Sequence, residues 1–125
     1  MATYVIDGYN VMFSTKKFSP FRTDKRGSVC RGEFIQLLSR FASRSGDRLI
    51  VVFDGSGASQ NIGKLEIIFS GKLSADEKIA SLAKTLSPDT VFVSSDRKGV
   101  LGTMRSACMQ FMGAYKFMKL VRGEE

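Results

Sequence analysis

The chain has 125 residues, with 19 Lys and Arg against 12 Asp and Glu for a net charge of +7, and it contains no histidine. That length suits one domain with a proper core, expected to span residues 1–125. The missing histidine excludes the Ser-His-Asp triad and the histidine zinc motifs, so any hydrolysis must rest on carboxylates, a metal or lysine. Cys30 and Cys108 stand far apart and form no CxxC, which argues against zinc and thioredoxin-like chemistry and suits reduced thiols. The apolar run from Leu49 to Phe53 is far below membrane-spanning length, and no signal peptide precedes the first strand, so a cytoplasmic location is expected.

Thr3 to Ile6 reads as a short buried strand. Gly8 to Ser28 lacks clear periodicity and reads as a loop with at most a helical turn; Lys16, Lys17, Arg22, Lys25 and Arg26 lie in it among Phe13, Phe18 and Phe21. From Val29 to Arg44 the apolar positions Cys30, Phe34, Ile35, Leu37, Leu38 and Phe41 recur at helical spacing. Gly46 and Asp47 end that helix, and Arg48 to Phe53 is a continuous apolar strand of the buried parallel type. Gly55 to Gly63, rich in Gly and Ser, is expected to be mobile. Lys64 to Phe69 is a third strand, placed at a sheet edge on account of Glu66. Ser74 and Glu77 form a capping-box pattern opening a helix to about Leu86, where Ser87 and Pro88 stop it. Thr90 to Ser94 is a fourth strand. A helix is expected over roughly Gly99 to Met112, ended by Gly113, with a fifth strand from Tyr115 to Val121. Strands alternating with helices imply a parallel sheet with right-handed crossovers and helices on both faces.

Four of these runs lead into carboxylates: Asp7, Asp54, Asp76 with Glu77, and Asp96. In an open α/β sheet the ligand site lies outside the carboxyl ends of the strands. Carboxylates gathered there repel one another unless a cation sits between them, and hard cations such as Mg²⁺ take oxygen ligands. Acid at the strand ends within a basic chain suits a nuclease, which needs carboxylates for a metal and Lys or Arg for the phosphate backbone.

The segment from Tyr4 to Met12, with its Asp7-Gly-Tyr-Asn core, resembles the opening motif of NYN-domain ribonucleases within the PIN-like nuclease group. The resemblance continues in order through Val51 to Gly55, Ser74 to Ile79, and Val93 to Arg97. It is greatest for the bacterial YacP-like branch, which is implicated in RNA cleavage. It implies an α/β fold, the PIN-like three-layer α/β/α sandwich with a central, mainly parallel sheet of about five strands. It further implies endoribonuclease activity leaving a 5′-phosphate and a 3′-hydroxyl, and a Mg²⁺ or Mn²⁺ site formed by Asp7, Asp54, Asp76 and Asp96. The partner implied is RNA, single-stranded or structured, with the ribosome as a further candidate, no membrane, and a monomer or homodimer. Longer members carry a further C-terminal segment beyond the fifth strand.

Each residue also has a plainer reading. Asp7 can cap the following turn, Asp54 can be a turn former before Gly55, and Asp96 can lead a helix. Asp76 gains from the helix dipole, and Glu77 sits where a capping box wants its glutamate. Asn10, counted with the catalytic set, either bonds a carboxylate or phosphate or shapes the turn. Lys16, Lys17, Arg22, Lys25 and Arg26 are candidate phosphate contacts whose bland alternative is a solvated loop, while Arg97 and Lys98 stand beside Asp96. Two other functions compete: an RNA-binding or ribosome-associated module with little catalysis, and a phosphohydrolase for small esters. The second lacks the usual Asp-x-Asp pattern at Asp7.

Overall fold

A computed structural model describes residues 1–21, 27–95 and 110–123, with side chains omitted at 21 and 27–29. Its centre is a six-stranded sheet of β1 (Thr3–Asp7), β2 (Arg48–Phe53), β3 (Gln60–Ile62), β4 (Leu65–Phe69), β5 (Val91–Ser94) and β6 (Gln110–Gly113). The order is β3-β4-β2-β1-β5-β6. All pairings are parallel except β3 with β4, which is antiparallel. Four helices accompany it among the described residues: α1 (Gly8–Phe13), α2 (Gly27–Ser45), α3 (Ala75–Ala83) and α4 (Ala114–Val121), with a 3-10 turn at Ser19–Phe21.

β2 explains the layering. Its odd residues Leu49, Val51 and Phe53 join a large core with Phe34, Leu38, Phe117 and Met118 from α2 and α4. Its even residues Ile50 and Val52 join a smaller core with Ile79 and Ala83 of α3. A strand buried on both faces reads as an unbroken apolar run, and each such side chain contributes about 1.5–3 kcal/mol of burial. The result is the three-layer α/β/α arrangement, with α3 on one face and α2 and α4 on the other.

Several boundaries depart from expectation. The stretch after β1 opens directly into α1 rather than a loop, with Val11 and Met12 fully buried beneath it. The Gly- and Ser-rich stretch contains β3, so Glu66 does not mark an edge: β4 lies between β3 and β2, and Glu66 meets Arg48 of β2 at 3.4 Å. Tyr115 to Val121 is helical, not a fifth strand. Ala114, Phe117, Met118 and Val121 are the buried positions, an i, i+3, i+4, i+7 stripe that only a helix turns to one side. Residues 110–112, expected to close a helix, form β6 instead, pairing with β5 from Val91↔Gln110 to Ser94↔Gly113. The rest of that expected helix lies outside the described residues. Of the helices read correctly, α3 carries the full capping box, with Ser74 Oγ accepting from Glu77 N–H at 3.1 Å and Glu77 Oε1 accepting from Ser74 N–H at 3.3 Å.

Candidate active site

The order of strands locates a crevice. From β1 the chain steps to β2 and β4 on one side, then returns to place β5 and β6 on the other. Such a reversal, at the carboxyl ends of parallel strands, is where open α/β sheets bind ligands. β1 ends on Asp7, which lies opposite Val52 of β2, and Ile6 pairs with Val93 of β5. Asp7 therefore stands at the mouth of the reversal, flanked by both neighbours.

Asp7 is 7 % exposed. It is the N-cap residue of α1 yet makes no side-chain capping bond to that helix, which counts against the capping alternative. The backbone turns sharply behind it, because a Cβ at Gly8 would fall 2.5 Å from Phe53 Cδ1 and 2.8 Å from the Val52 carbonyl oxygen. Only glycine lets α1 start that close to β2.

Asn10, in the first turn of α1, reaches across the reversal. Its Oδ1 accepts from Ser95 N–H at 2.7 Å, Ser95 Oγ at 2.9 Å and Ser94 Oγ at 2.9 Å. This oxygen latches the end of β5 to the end of β1. Of the alternatives for Asn10, the geometry adds a third, a tie between strand ends.

On the other side, Asp54 directly follows β2. Its Oδ1 accepts from the Ala75 N–H at the start of α3, at 2.7 Å. Asp76, exposed in that first helical turn, is thereby brought to the same edge. The strand ends are closed by Ser70 N–H donating to the Phe53 carbonyl at 2.9 Å and Gly55 N–H donating to Ser70 Oγ at 3.2 Å. Gly55 has φ +100°, a left-handed conformation suited to glycine.

Asp7, Asp54 and Asp76 thus share one edge. Among the described residues, however, no three His, Cys, Asp or Glu side chains stand close enough together to hold a metal ion. The donors are hard oxygens, the type that Mg²⁺ and Mn²⁺ prefer, so the chemistry fits while the described set is short of a trio. Asp96, Arg97 and Lys98 lie outside the described residues, as do Arg22, Lys25 and Arg26. Glu77 is spent on the capping box. Lys16 is exposed, and Lys17 meets Glu33 at 3.6 Å and lies over the Phe18 ring. Phe18 is fully buried and Phe13 half-buried, so these aromatics belong to packing.

Arg31, on α2, was not among the expected site residues. Its Nη1 donates to the Tyr9 hydroxyl at 2.9 Å, and its guanidinium lies 5.3 Å from the centre of the Phe69 ring. Phe69 ends β4 and Tyr9 is two residues past Asp7, so a guanidinium is fixed at the acidic edge. Nothing in the local sequence separates it from other surface arginines.

The profile of the YacP-like NYN domain matches residues 4–124. The chain belongs to that family. NYN domains are generally nucleases, and the PIN-like sandwich found here is their fold. Two crystal structures of Rae1 (YacP) from Bacillus subtilis, the wild type and a point mutant, superpose with TM-scores of 0.80 and 0.82 at 24% identity. Each alignment covers 98% of this chain, and 75% and 76% of theirs. No curated protein sequence matches the chain. No described helix is long and apolar enough to cross a membrane.

Proposed function

We propose that this chain is a metal-dependent endoribonuclease with its site at the carboxyl edge of the sheet, between β1 and β5. The observation that supports it most is a buried carboxylate, Asp7, at the strand reversal of a chain belonging to a nuclease family. In this reading Asp7, Asp54, Asp76 and Asp96 hold Mg²⁺ or Mn²⁺. When bound, such an ion lowers the pKa of water and offsets negative charge on the reacting phosphate. The chain's own residues do the rest. Asn10 keeps the β5 end, and with it the residue before Asp96, at a set separation from Asp7. Arg31, anchored on Tyr9 and Phe69, offers a cation to the phosphate backbone. Lys16 and Lys17, with Arg22, Lys25 and Arg26 next in sequence, add positive charge for the phosphates. The products are a 5′-phosphate and a 3′-hydroxyl, and the protein works in the cytoplasm as one domain, a monomer or homodimer, on cellular RNA.

A second reading, a binding module with little catalysis and the ribosome as a partner, draws on the lack of an assembled trio among the described residues. One experiment separates the two. Wild-type protein should cut RNA with Mn²⁺, stop in EDTA, and still bind RNA there. Asp7→Asn should abolish cutting while its metal-free melting temperature holds or rises, because neutralising one of several neighbouring carboxylates relieves repulsion. Binding without any Mn²⁺-dependent cutting favours the module. A large fall in metal-free melting temperature makes Asp7 structural.

A further inference from the structure

The acidic edge continues into a groove that meets the candidate phosphate contacts named above at Lys16. A cavity of about 300 Å³ is lined by Ser94, Ser95, Ser14 and Tyr115. A second, of about 310 Å³, shares Ser14, Ala114 and Tyr115 with the first and ends at Lys16 and Arg122. The two make one track from the Asn10 latch to a pair of cations, and among the described residues no acidic side chain lines either part.

Tyr115 stands between the two halves. It is 73 % exposed in a helix whose inward stripe is already filled by Ala114, Phe117, Met118 and Val121. Among the described residues the fold therefore has no packing use for its ring. Lys119, one helical turn on, holds its ammonium 5.1 Å from the ring centre. A flat exposed aromatic with cations around it and serine hydroxyls on the approach is the composition that tracks an unpaired strand: bases stack on the ring and phosphates meet the cations. A duplex hides its base faces and gains nothing from such a ring.

We propose that this groove carries the single-stranded segment of nucleic acid next to the cleavage site, with Tyr115 as stacking platform and Lys16, Lys119 and Arg122 as phosphate contacts. The inference rests on the nuclease reading and extends it by naming the track and its stacking residue.

The test measures anisotropy of a short fluorescein-labelled single-stranded RNA, and of the same sequence annealed into a duplex, in EDTA. Asp7→Asn protein is the background, so no cutting intervenes. Adding Tyr115→Ala should weaken single-strand binding about 5- to 150-fold, the range for one lost base stack, and leave duplex binding unchanged. Tyr115→Phe should restore it. Lys16→Ala with Arg122→Ala should flatten the dependence of log K on log salt by about 0.7 per lost contact. Melting temperatures of the Tyr115 variants should match that of the background, since Tyr115 joins neither core among the described residues. Equal losses on single strand and duplex, or no loss on either, overturn the groove while the nuclease reading stands on its own cutting assay. Failure of the Asp7→Asn background to bind any RNA overturns both.

Discussion

The latch at Asn10 offers the sharpest test of how this edge is built. Asn10→Ala removes one carbonyl oxygen that three donors share. An sp² oxygen has two lone pairs, so the three bonds are worth about two full ones. At about 0.5–1.5 kcal/mol net each, the loss comes to about 1–3 kcal/mol. Ser95 is exposed and water can replace its bonds, whereas Ser94 is fully buried, so a central value of about 2 kcal/mol is reasonable. For a domain of this size that lowers the melting temperature by about 6–10 °C. The β5 end would also drift from β1, and a displacement of an ångström at a reacting centre costs up to about 100-fold in rate. The informative companion is Asn10→Asp, whose carboxylate accepts the same three bonds with charge assistance. In metal-free buffer it should recover only part of the melting temperature, because the added carboxylate repels the others at this edge. Thermal melts without metal and single-turnover RNA cleavage with Mn²⁺ measure both effects. An Asn10→Ala protein with unchanged melting temperature and unchanged rate would refute the latch.

Other expectations follow from the same edge. Gly8→Ala drives a methyl into Phe53 and the Val52 carbonyl, and denaturant titration should show about 1–3 kcal/mol of lost stability. Asp54→Asn keeps the acceptor for the Ala75 N–H and should melt near wild type, while Asp54→Ala should lose about 1 kcal/mol; both should lose Mn²⁺-dependent cutting. Tyr4, buried against Phe41 and Phe117, has its phenol pushed above its ordinary 10.0 by burial first and by the charge of Asp47 second. The folded chain then keeps a proton that the unfolded chain gives up, so stability is whole below about pH 10 and falls as pH climbs through the raised value. Tyr4→Phe should flatten that alkaline slope in denaturant melts, and an unchanged slope would mean other groups set it.

The parts of this fold that were legible are those where one local rule dominates. An unbroken apolar run of strand length can only be a strand buried on both faces, and β2 is one. Ser74 with Glu77 spells a capping box, and α3 begins there. The errors cluster where two rules compete. Tyr115, Phe117 and Val121 favour strands by type, but Tyr4 of β1 and Phe41 of α2 needed a cover, and the helical stripe through Phe117 supplied it. β6 has four residues and bonds on one side only to β5 among the described strands, too short a pattern to stand out from a helix tail. β3 is three residues long and exposed along its length; its signal was Gly63, at φ +58°, first in the two-residue turn joining Ile62 to Leu65.

The candidate site divides along the same line. Carboxylates at the ends of parallel strands can be counted from sequence, because strand direction alone sends them to one edge. Which strands are neighbours cannot be counted that way, and the reversal between β1 and β5 is what raises Asp7 above Asp54 and Asp76. Asn10 shows why: its partners Ser94 and Ser95 are more than eighty residues away, so no local pattern could separate a turn residue from a tie between strand ends. The same holds for Arg31 with Tyr9. In each case the chemistry lies in a pairing across the sheet edge, and the order of strands decides which pairs can form. The nuclease site proposed for this edge is thus a property of topology first and of residue type second, which is why the substitutions worth making alter a cross-edge contact while keeping the residue's shape.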